Sequence, residues 1–338
     1  MSDRGSQILA EILLIAVAAV WGWTFVMVKD AVALYPTLQF ISLRFLLAAG
    51  VMGCVVVVGR WRRGRAEREG ARPGGEDGSR ADQLILAAEG PAVLVRTTRS
   101  RHRATVLRGV LMGLALGAGY IFQTFGLEKT SASNAGFITG LFVVLVPLMY
   151  ALVWRSPVDM GAIVGVVLAT VGLFLLSGGT HALRLGGDGL VFLCAVSFSI
   201  HILLTSTYVQ GRDPAVLTLL QLGTVGVLTT VLAVLGAATG MSPSLSVPSQ
   251  PSVLFALGVT SVFASAAAFY VQTYAQRHAP PTRTAVILTM EPVFAGLFGY
   301  LLAGERLGAV GWLGAGLILG GMLISELWPS RRLLKNEA

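Results

Sequence analysis

The feature that most constrains this chain is a series of ten apolar runs, each long enough to cross a lipid bilayer. A helix needs about 20 residues to cross a hydrocarbon core about 30 Å thick. Only 12% of the 338 residues are charged and 54% are hydrophobic, whereas about a quarter of a soluble protein is charged. We therefore predict an all-α integral membrane protein with ten transmembrane helices. The predicted spans are 8–28, 37–59, 107–126, 134–154, 160–178, 189–209, 215–238, 252–274, 283–302 and 310–328.

The positions of Lys and Arg predict the orientation of these helices, since cytoplasmic loops carry an excess of both. With both termini inside, the inner loops hold most of the 25 Lys and Arg residues, and the excess persists when the arginine-rich segment 60–106 is left out. The first apolar run is too long for a signal-peptide core and has no small-residue cleavage site. We expect a multi-pass protein of a plasma or inner membrane, with cytoplasmic tails at 1–7 and 329–338.

Segment 60–106 is the one long interval between predicted spans. We expect it to be a solvated cytoplasmic linker, and contact with anionic lipid or with a partner protein is the alternative. The net charge of +8 arises mainly here. The segment has no basic helix with interleaved aromatic residues, so we expect no nucleic-acid partner.

Residues 131–178 resemble residues 280–327 at a constant offset of 149, at which Gly165 matches Gly314 and Gly172 matches Gly321. Two five-helix halves follow, at 8–178 and 189–328. Because five is odd, the second half enters the membrane in the opposite orientation. Inverted repeats of this kind are typical of secondary transporters, whose substrate site lies near the midplane where the halves meet.

Three ionisable residues stand out deep inside predicted spans, where a charge costs about 2.5–3.5 kcal/mol and therefore indicates function. Arg44 and Glu291 lie at similar depths by helical rise and would pair if their helices are neighbours; a structural tether is the alternative for Arg44. Glu291 is a candidate site for a proton or for a cationic substrate. The alternative is a structural role beside Pro292. His201 is either a group that titrates near neutral pH or a packing residue held by hydrogen bonds.

Aromatic and polar side chains in other spans are candidates for lining a substrate cavity. Aromatic residues that only anchor helices belong at the membrane interfaces, and polar groups that face lipid are costly. Packing between helices is the alternative for each. The candidates are Trp21, Trp23, Thr24, Phe25, Tyr120, Gln123, Asn134, Thr139, Tyr270 and Tyr274.

Two further patterns concern helix shape and packing. Pro147 and Pro292 each free a backbone carbonyl and can kink a helix, which suits a gating hinge but is also tolerated in ordinary membrane helices. Gly109, Gly113 and Gly117 recur every four residues, a spacing that lets helices approach closely. We expect packing within the bundle, with a homodimer face as the alternative.

Several motifs resemble the EamA-type members of the drug/metabolite transporter superfamily. They are WGWTF at 21–25, LRFLLAA at 43–49, TSASNAGFITG at 130–140 with Val146-Pro147, and EPVFA at 291–295 with GERL at 304–307. The resemblance implies a topology of five plus five helices and transport, commonly export, of amino acids, other metabolites or toxic compounds. Segment 60–106 departs from the compact form of that family.

We predict a secondary transporter that exports small amphiphilic metabolites through alternating access, with Glu291 as a candidate for proton coupling. We expect neither a cofactor nor a metal, because the sequence lacks a G-x-x-x-x-G-K-[ST] phosphate loop and a cluster of metal ligands. We do not expect an enzyme, because His201 with Ser197 or Ser199 is the only candidate nucleophile–base pair. An intramembrane enzyme and a non-transporting scaffold remain the alternatives.

Overall fold

The structure is a computed structural model that describes residues 3–70, 91–129, 138–155, 158, 160–176, 185–302 and 308–328. Within these residues every regular element is a helix, so the predicted all-α class is confirmed. The helices are α1 (Asp3–Leu34), α2 (Thr37–Gly70), α3 (Pro91–Leu127), α4 (Phe142–Trp154), α5 (Met160–Leu176), α6 (Leu185–Tyr208), α7 (Pro214–Ala238), α8 (Pro251–Val259), a π-helical segment (Thr260–Ala267), α9 (Ala268–Ala275), α10 (Pro281–Leu288), α11 (Met290–Leu302) and α12 (Ala309–Leu327).

The helices have the length and surface of membrane spans. Six helical stretches in the described part of the chain are long and apolar enough to cross a bilayer, and three shorter ones are equally apolar. Large hydrophobic side chains face outward along them, with Val57 66% exposed, Leu152 78% and Leu301 62%. A soluble monomer rarely exposes apolar patches on this scale, so the outer surface suits lipid.

α2 and α3 extend beyond the apolar runs that predicted them. α2 ends at Gly70 and α3 begins at Pro91, so much of segment 60–106 is helical and only 71–90 lie outside the described residues. Arg, Glu and Ala are good helix formers, and Pro is accepted in the first turn of a helix. The hydropathy of a sequence predicts where a helix leaves the membrane. It does not predict how far the helix continues beyond the membrane.

α5 and α12 pack closely because glycines lie where they meet. A Cβ atom on Gly165 would lie 2.8 Å from the carbonyl oxygen of Gly321, and one on Gly172 would lie 2.6 Å from that of Gly314. The two contacts follow opposite residue orders along the two helices, so α5 and α12 are antiparallel.

The glycine stripe of α3 faces α7 of the same chain. A Cβ atom on Gly109 would lie 2.5 Å from the side chain of Leu220, and one on Gly113 would lie 2.5 Å from that of Thr224. Gly117 lies on the same face, against Leu228. Packing within the bundle thus accounts for this stripe.

The helix predicted over 283–302 is interrupted at Thr289, between α10 and α11. Pro292 has no N–H to donate to the carbonyl of Leu288, and its ring clashes with that carbonyl. The break therefore lies one turn before the proline. The hydroxyl of Thr289 donates to the carbonyl of Val286, which satisfies one group at the break.

The helix predicted over 134–154 is also interrupted. Residues 138–140 are helical, Leu141 forms a turn, and α4 continues from Phe142. Pro147 lies inside α4 and is buried. The two prolines therefore differ in their distance from the helix break. Pro292 lies three residues after the break at Thr289, and Pro147 lies six residues after the break at Leu141.

The close contact of α5 with α12 can be tested with Gly172→Ala. The new methyl group has no room beside the Gly314 carbonyl, and overpacking of this kind costs about 1–3 kcal/mol, so we expect a lower melting temperature in detergent. Gly316→Ala is the matched control on α12, where a Cβ atom would meet nothing within 4 Å. Equal melting temperatures for the two variants would contradict this packing.

Candidate functional site

A cavity of about 680 Å³ lies among α1, α2, α3, α6, α9 and the broken helices. It extends from the middle of the bundle toward the end where α1 gives way to α2, and the exposed residues Ala33 and Glu128 mark its mouth. Eight residues predicted from the sequence line it: Trp21, Thr24, Arg44, Tyr120, Gln123, Thr139, His201 and Glu291.

The opposite end of the cavity is closed by packed apolar side chains. Ala10 and Leu14 of α1 pack with Ala275 and Ala285 in one buried cluster. Beside this cluster, Arg283 Nη1 lies 3.5 Å from Glu11 Oε1, and both side chains are less than one-fifth exposed. The cavity is therefore open toward the α1–α2 turn and sealed toward the N-terminus.

The π-helical segment holds two of the lining residues. Trp21 Nε1 donates to the carbonyl oxygen of Ala264 at 2.8 Å, and Arg44 Nε donates to Ser265 Oγ at 2.8 Å. A π-helical turn displaces backbone groups from the regular pattern and occurs frequently at functional sites.

Arg44 is surrounded by aromatic rings as well as by this hydroxyl. Its guanidinium carbon lies 5.2 Å from the ring centre of Tyr120 and 5.3 Å from that of Phe45. Such distances allow cation–π attraction. Arg44 is only 5% exposed, so these contacts make it a tether between α2, α3 and the π-helical segment.

Glu291 faces the same cavity in a different environment. Among the described residues its carboxyl group has no hydrogen-bond partner and no ion-pair partner within 4.0 Å, including Arg44. The nearby charge of Arg44 acts on it through space. The two charges share the cavity without direct contact, which leaves the carboxyl group available to a solute or a proton.

His201 is joined to two other helices by hydrogen bonds. Its Nε2 lies 2.7 Å from Gln221 Oε1, and Gln221 Nε2 donates to Thr273 Oγ1 at 3.0 Å. This chain of hydrogen bonds links α6, α7 and α9. Ser197 and Ser199 donate to carbonyl oxygens of their own helix, so neither is paired with His201 as a nucleophile would be.

Aromatic residues that the sequence did not single out complete the wall. Phe269 lies 5.3 Å from Trp21 and 6.0 Å from His201 between ring centres, and Phe198 lies 5.5 Å from Tyr120. A phenylalanine in an apolar span carries no sequence signal that distinguishes a cavity from lipid.

Gln272 of α9 also lines the cavity. It is 2% exposed, and its Oε1 atom is buried without a partner. The oxygen and nitrogen atoms of a side-chain amide can exchange positions without changing its shape. Either way, Gln272 offers one polar group that the described residues do not satisfy.

The remaining candidates lie elsewhere. Trp23, Tyr270 and Tyr274 are not among the described residues that line the cavity; Tyr270 packs against a neighbouring apolar cluster, and Tyr274 lies edge-on to His278. Asn134 and the side chain of Phe25 lie outside the described part of the structure. No group of three or more potential metal ligands occurs among the described residues.

Comparison with known proteins points to transporters. The model of the EamA-like transporter family matches residues 83–178 and 185–327. An uncharacterized transporter of Archaeoglobus fulgidus is 35% identical over 221 residues, covering 65% of this chain and 68% of that protein. A second uncharacterized transporter of the same organism is 24% identical over 88% of this chain and 90% of its own length.

Two further matches are more distant. A WAT1-related protein of Arabidopsis thaliana, described as chloroplastic, is 25% identical over 60% of this chain and 49% of that protein. One solved crystal structure superposes with a TM-score of 0.69 at 16% identity, covering 97% of this chain and 99% of that one. This last likeness concerns the fold alone.

The one-sided opening can be tested by cysteine labelling after Cys54 and Cys194 are replaced by Ala. A water-soluble thiol reagent added from the Glu128 side should modify Gln123→Cys, which lines the cavity, on the order of ten times faster than Val17→Cys, which is buried below it. Comparable rates at the two positions, or faster labelling from the other side, would contradict a cavity open only at this end.

Proposed function

The chain belongs to the EamA-like transporter family and is a multi-pass membrane protein, and we propose that it is a secondary transporter that exports small amphiphilic metabolites by alternating access. The observation that carries this proposal is an aromatic-walled cavity with polar groups inside an apolar bundle. One acid in its wall, Glu291, has no partner among the described residues. Its position in a plasma or inner membrane, with both termini cytoplasmic, is part of the proposal and rests on the loop charges.

We propose ten spans in two inverted halves, and the glycine contacts support this. At the offset of 149, Gly165 corresponds to Gly314 and Gly172 to Gly321. Exchanging the two halves therefore converts the contact between Gly165 and Gly321 into a contact between Gly314 and Gly172. The structure contains both contacts. Two helices related by an exchange of halves would pack in this way.

The directions of equivalent helices support inversion as well. α2 and α7 are the second helices of their halves. Gly226 packs against Leu46, and a Cβ atom on Gly53 would lie 4.0 Å from the side chain of Leu219. These helices are therefore antiparallel, as α5 and α12 are. A two-fold axis in the membrane plane relates equivalent helices in opposite directions.

The breaks in the fourth and ninth spans fall within one residue of matching positions. At the same offset Leu141 corresponds to Met290, one residue from the break at Thr289. The residues that flank the two breaks are also equivalent: Thr139 matches Leu288, Phe142 matches Glu291, and all four line the cavity. Broken helices at the interface of inverted repeats form the substrate site in many secondary transporters.

The cavity suits a small amphiphilic solute. Its volume of about 680 Å³ falls within the range of about 300–1,000 Å³ that is usual for small-molecule sites. Trp21 and Phe269 offer an apolar surface, and Gln272 and Glu291 offer polar groups within the same wall. We propose that Glu291 exchanges a proton during transport or binds a cationic group of the solute.

Alternating access requires the two ends of the cavity to close in turn. In the present state the N-terminal side is sealed, in part by Glu11 of the first half and Arg283 of the second. We propose that this contact opens when the mouth at Ala33 and Glu128 closes. Rocking of one half against the other would exchange the two states.

Glu291→Gln tests the proposal most simply, because it removes the charge and keeps the shape. In proteoliposomes screened with a panel of amino acids and amphiphilic compounds, we expect the wild-type protein to transport at least one solute with a rate that depends on pH. The variant should lose the pH dependence, and its rate should fall by roughly tenfold or more.

Glu128→Gln is the matched control, since Glu128 lies at the exposed mouth of the cavity and should retain the pH dependence. A wild-type protein that moves no member of the panel, with or without a pH gradient, would contradict transport. Unchanged pH dependence in Glu291→Gln would remove the coupling role and leave transport standing.

A further inference from the structure

A second pocket, separate from the central cavity, lies where three helices end on the N-terminal side of the bundle. It has a volume of about 540 Å³. Arg63 comes from the end of α2, Arg212 and Asp213 from the turn between α6 and α7, and Arg277 from the turn after α9. These elements come from both halves of the chain.

The pocket has an excess of positive charge. It contains three guanidinium groups and one carboxylate. Asp213 Oδ2 lies 3.2 Å from Arg63 Nη2, while Asp213 Oδ1 accepts from the backbone N–H of Ala215. The single carboxylate is thus already engaged, and no second acid lines the pocket among the described residues.

Two of the three arginines are held in place by backbone carbonyl groups. Arg212 Nη1 donates to the carbonyl oxygen of Tyr208 at 3.1 Å, and Arg277 Nη2 donates to that of Arg212. Carbonyl contacts at helix ends orient guanidinium groups without cancelling their charge. Arg277 Nε is buried and has no partner within the described protein, so one donor of the site remains unsatisfied.

The depth of the pocket matches that of lipid headgroups. Val57 and Val58 of α2 are exposed at 66% and 46%, and Trp61, 62% exposed, follows one turn later. Exposed Trp after an apolar face marks the membrane–water interface. Arg65 lies over the Trp61 ring at 5.7 Å, and Arg63 lies between them in sequence, at the same level.

We propose that this pocket binds the phosphate group of an anionic phospholipid of the inner leaflet. Arginine groups from several helices on the cytoplasmic side form sites for acidic headgroups, and their planar donors match phosphate oxygens. Because the ligand contacts α2, the α6–α7 turn and the α9 end together, it stabilises the folded bundle. The inference does not depend on transport.

The test compares melting temperatures of the full chain in phosphatidylcholine nanodiscs with and without phosphatidylglycerol. A ligand that binds only the folded state raises the melting temperature, and we expect a rise of about 2–4 °C for the wild type. Arg63→Gln combined with Arg212→Gln should lose most of this rise. Arg60→Gln combined with Arg62→Gln removes the same charge from exposed positions outside the pocket and should retain it.

A single variant, the control variant and a measurement with inorganic phosphate each have an expected or a contradicting outcome. Arg63→Gln alone, at a side chain that is 66% exposed, replaces the double variant if that one does not fold, and should lose part of the rise. An equal loss in the control variant would reduce the effect to general surface charge and overturn the site. The same rise from inorganic phosphate in phosphatidylcholine alone would identify a free-anion site and overturn the lipid assignment.

Discussion

A polar side chain inside a membrane must find its partners within the protein, because lipid tails offer no hydrogen bonds. This constraint explains why the polar residues converge on one cavity. Arg44 is bonded to Ser265, Trp21 to the backbone of Ala264, and His201 to Gln221. The π-helical segment supplies the first two partners, so an irregular stretch of α8–α9 holds both α1 and α2 at the cavity wall. Within the cavity wall, the carboxyl group of Glu291 and one polar atom of Gln272 have no partner among the described residues.

The proposed halves are similar in packing and different in chemistry. Glycine contacts occur at matching positions and helix breaks within one residue of them, whereas the cavity-lining residues beside the breaks do not match in type. Phe142 corresponds to Glu291, and Thr139 to Leu288. A shared backbone would permit two alternating states, while an acid at only one of the two matching break positions would make the two halves chemically different. Trp21 and Phe269 then provide the apolar surface on which a small amphiphilic solute rests.

The sequence predicted the all-helical class and the presence of apolar membrane helices, because about 20 consecutive apolar residues are typical of a membrane-spanning helix. Rare residue types in apolar runs, such as Arg44 and Glu291, were found for the same reason. Phe198 and Phe269 were missed because phenylalanine is ordinary in a span. Trp23 is two residues from Trp21, and about 100° of helical rotation per residue turns it to another face. The π-helical segment contains neither Gly nor Pro, so no residue of this kind predicts the irregularity from the sequence.

The most direct test of the account is whether the two ends of the cavity open in turn. After Cys54 and Cys194 are replaced, spin labels at Ala33→Cys of the first half and Gly189→Cys of the second report on the mouth side. Labels at Ile8→Cys of the first half and Gln210→Cys of the second report on the sealed side. When a transported solute is added, the distance across the mouth should shorten while the distance across the sealed side lengthens. Distances that stay fixed at both ends during active transport would contradict alternating access between two halves.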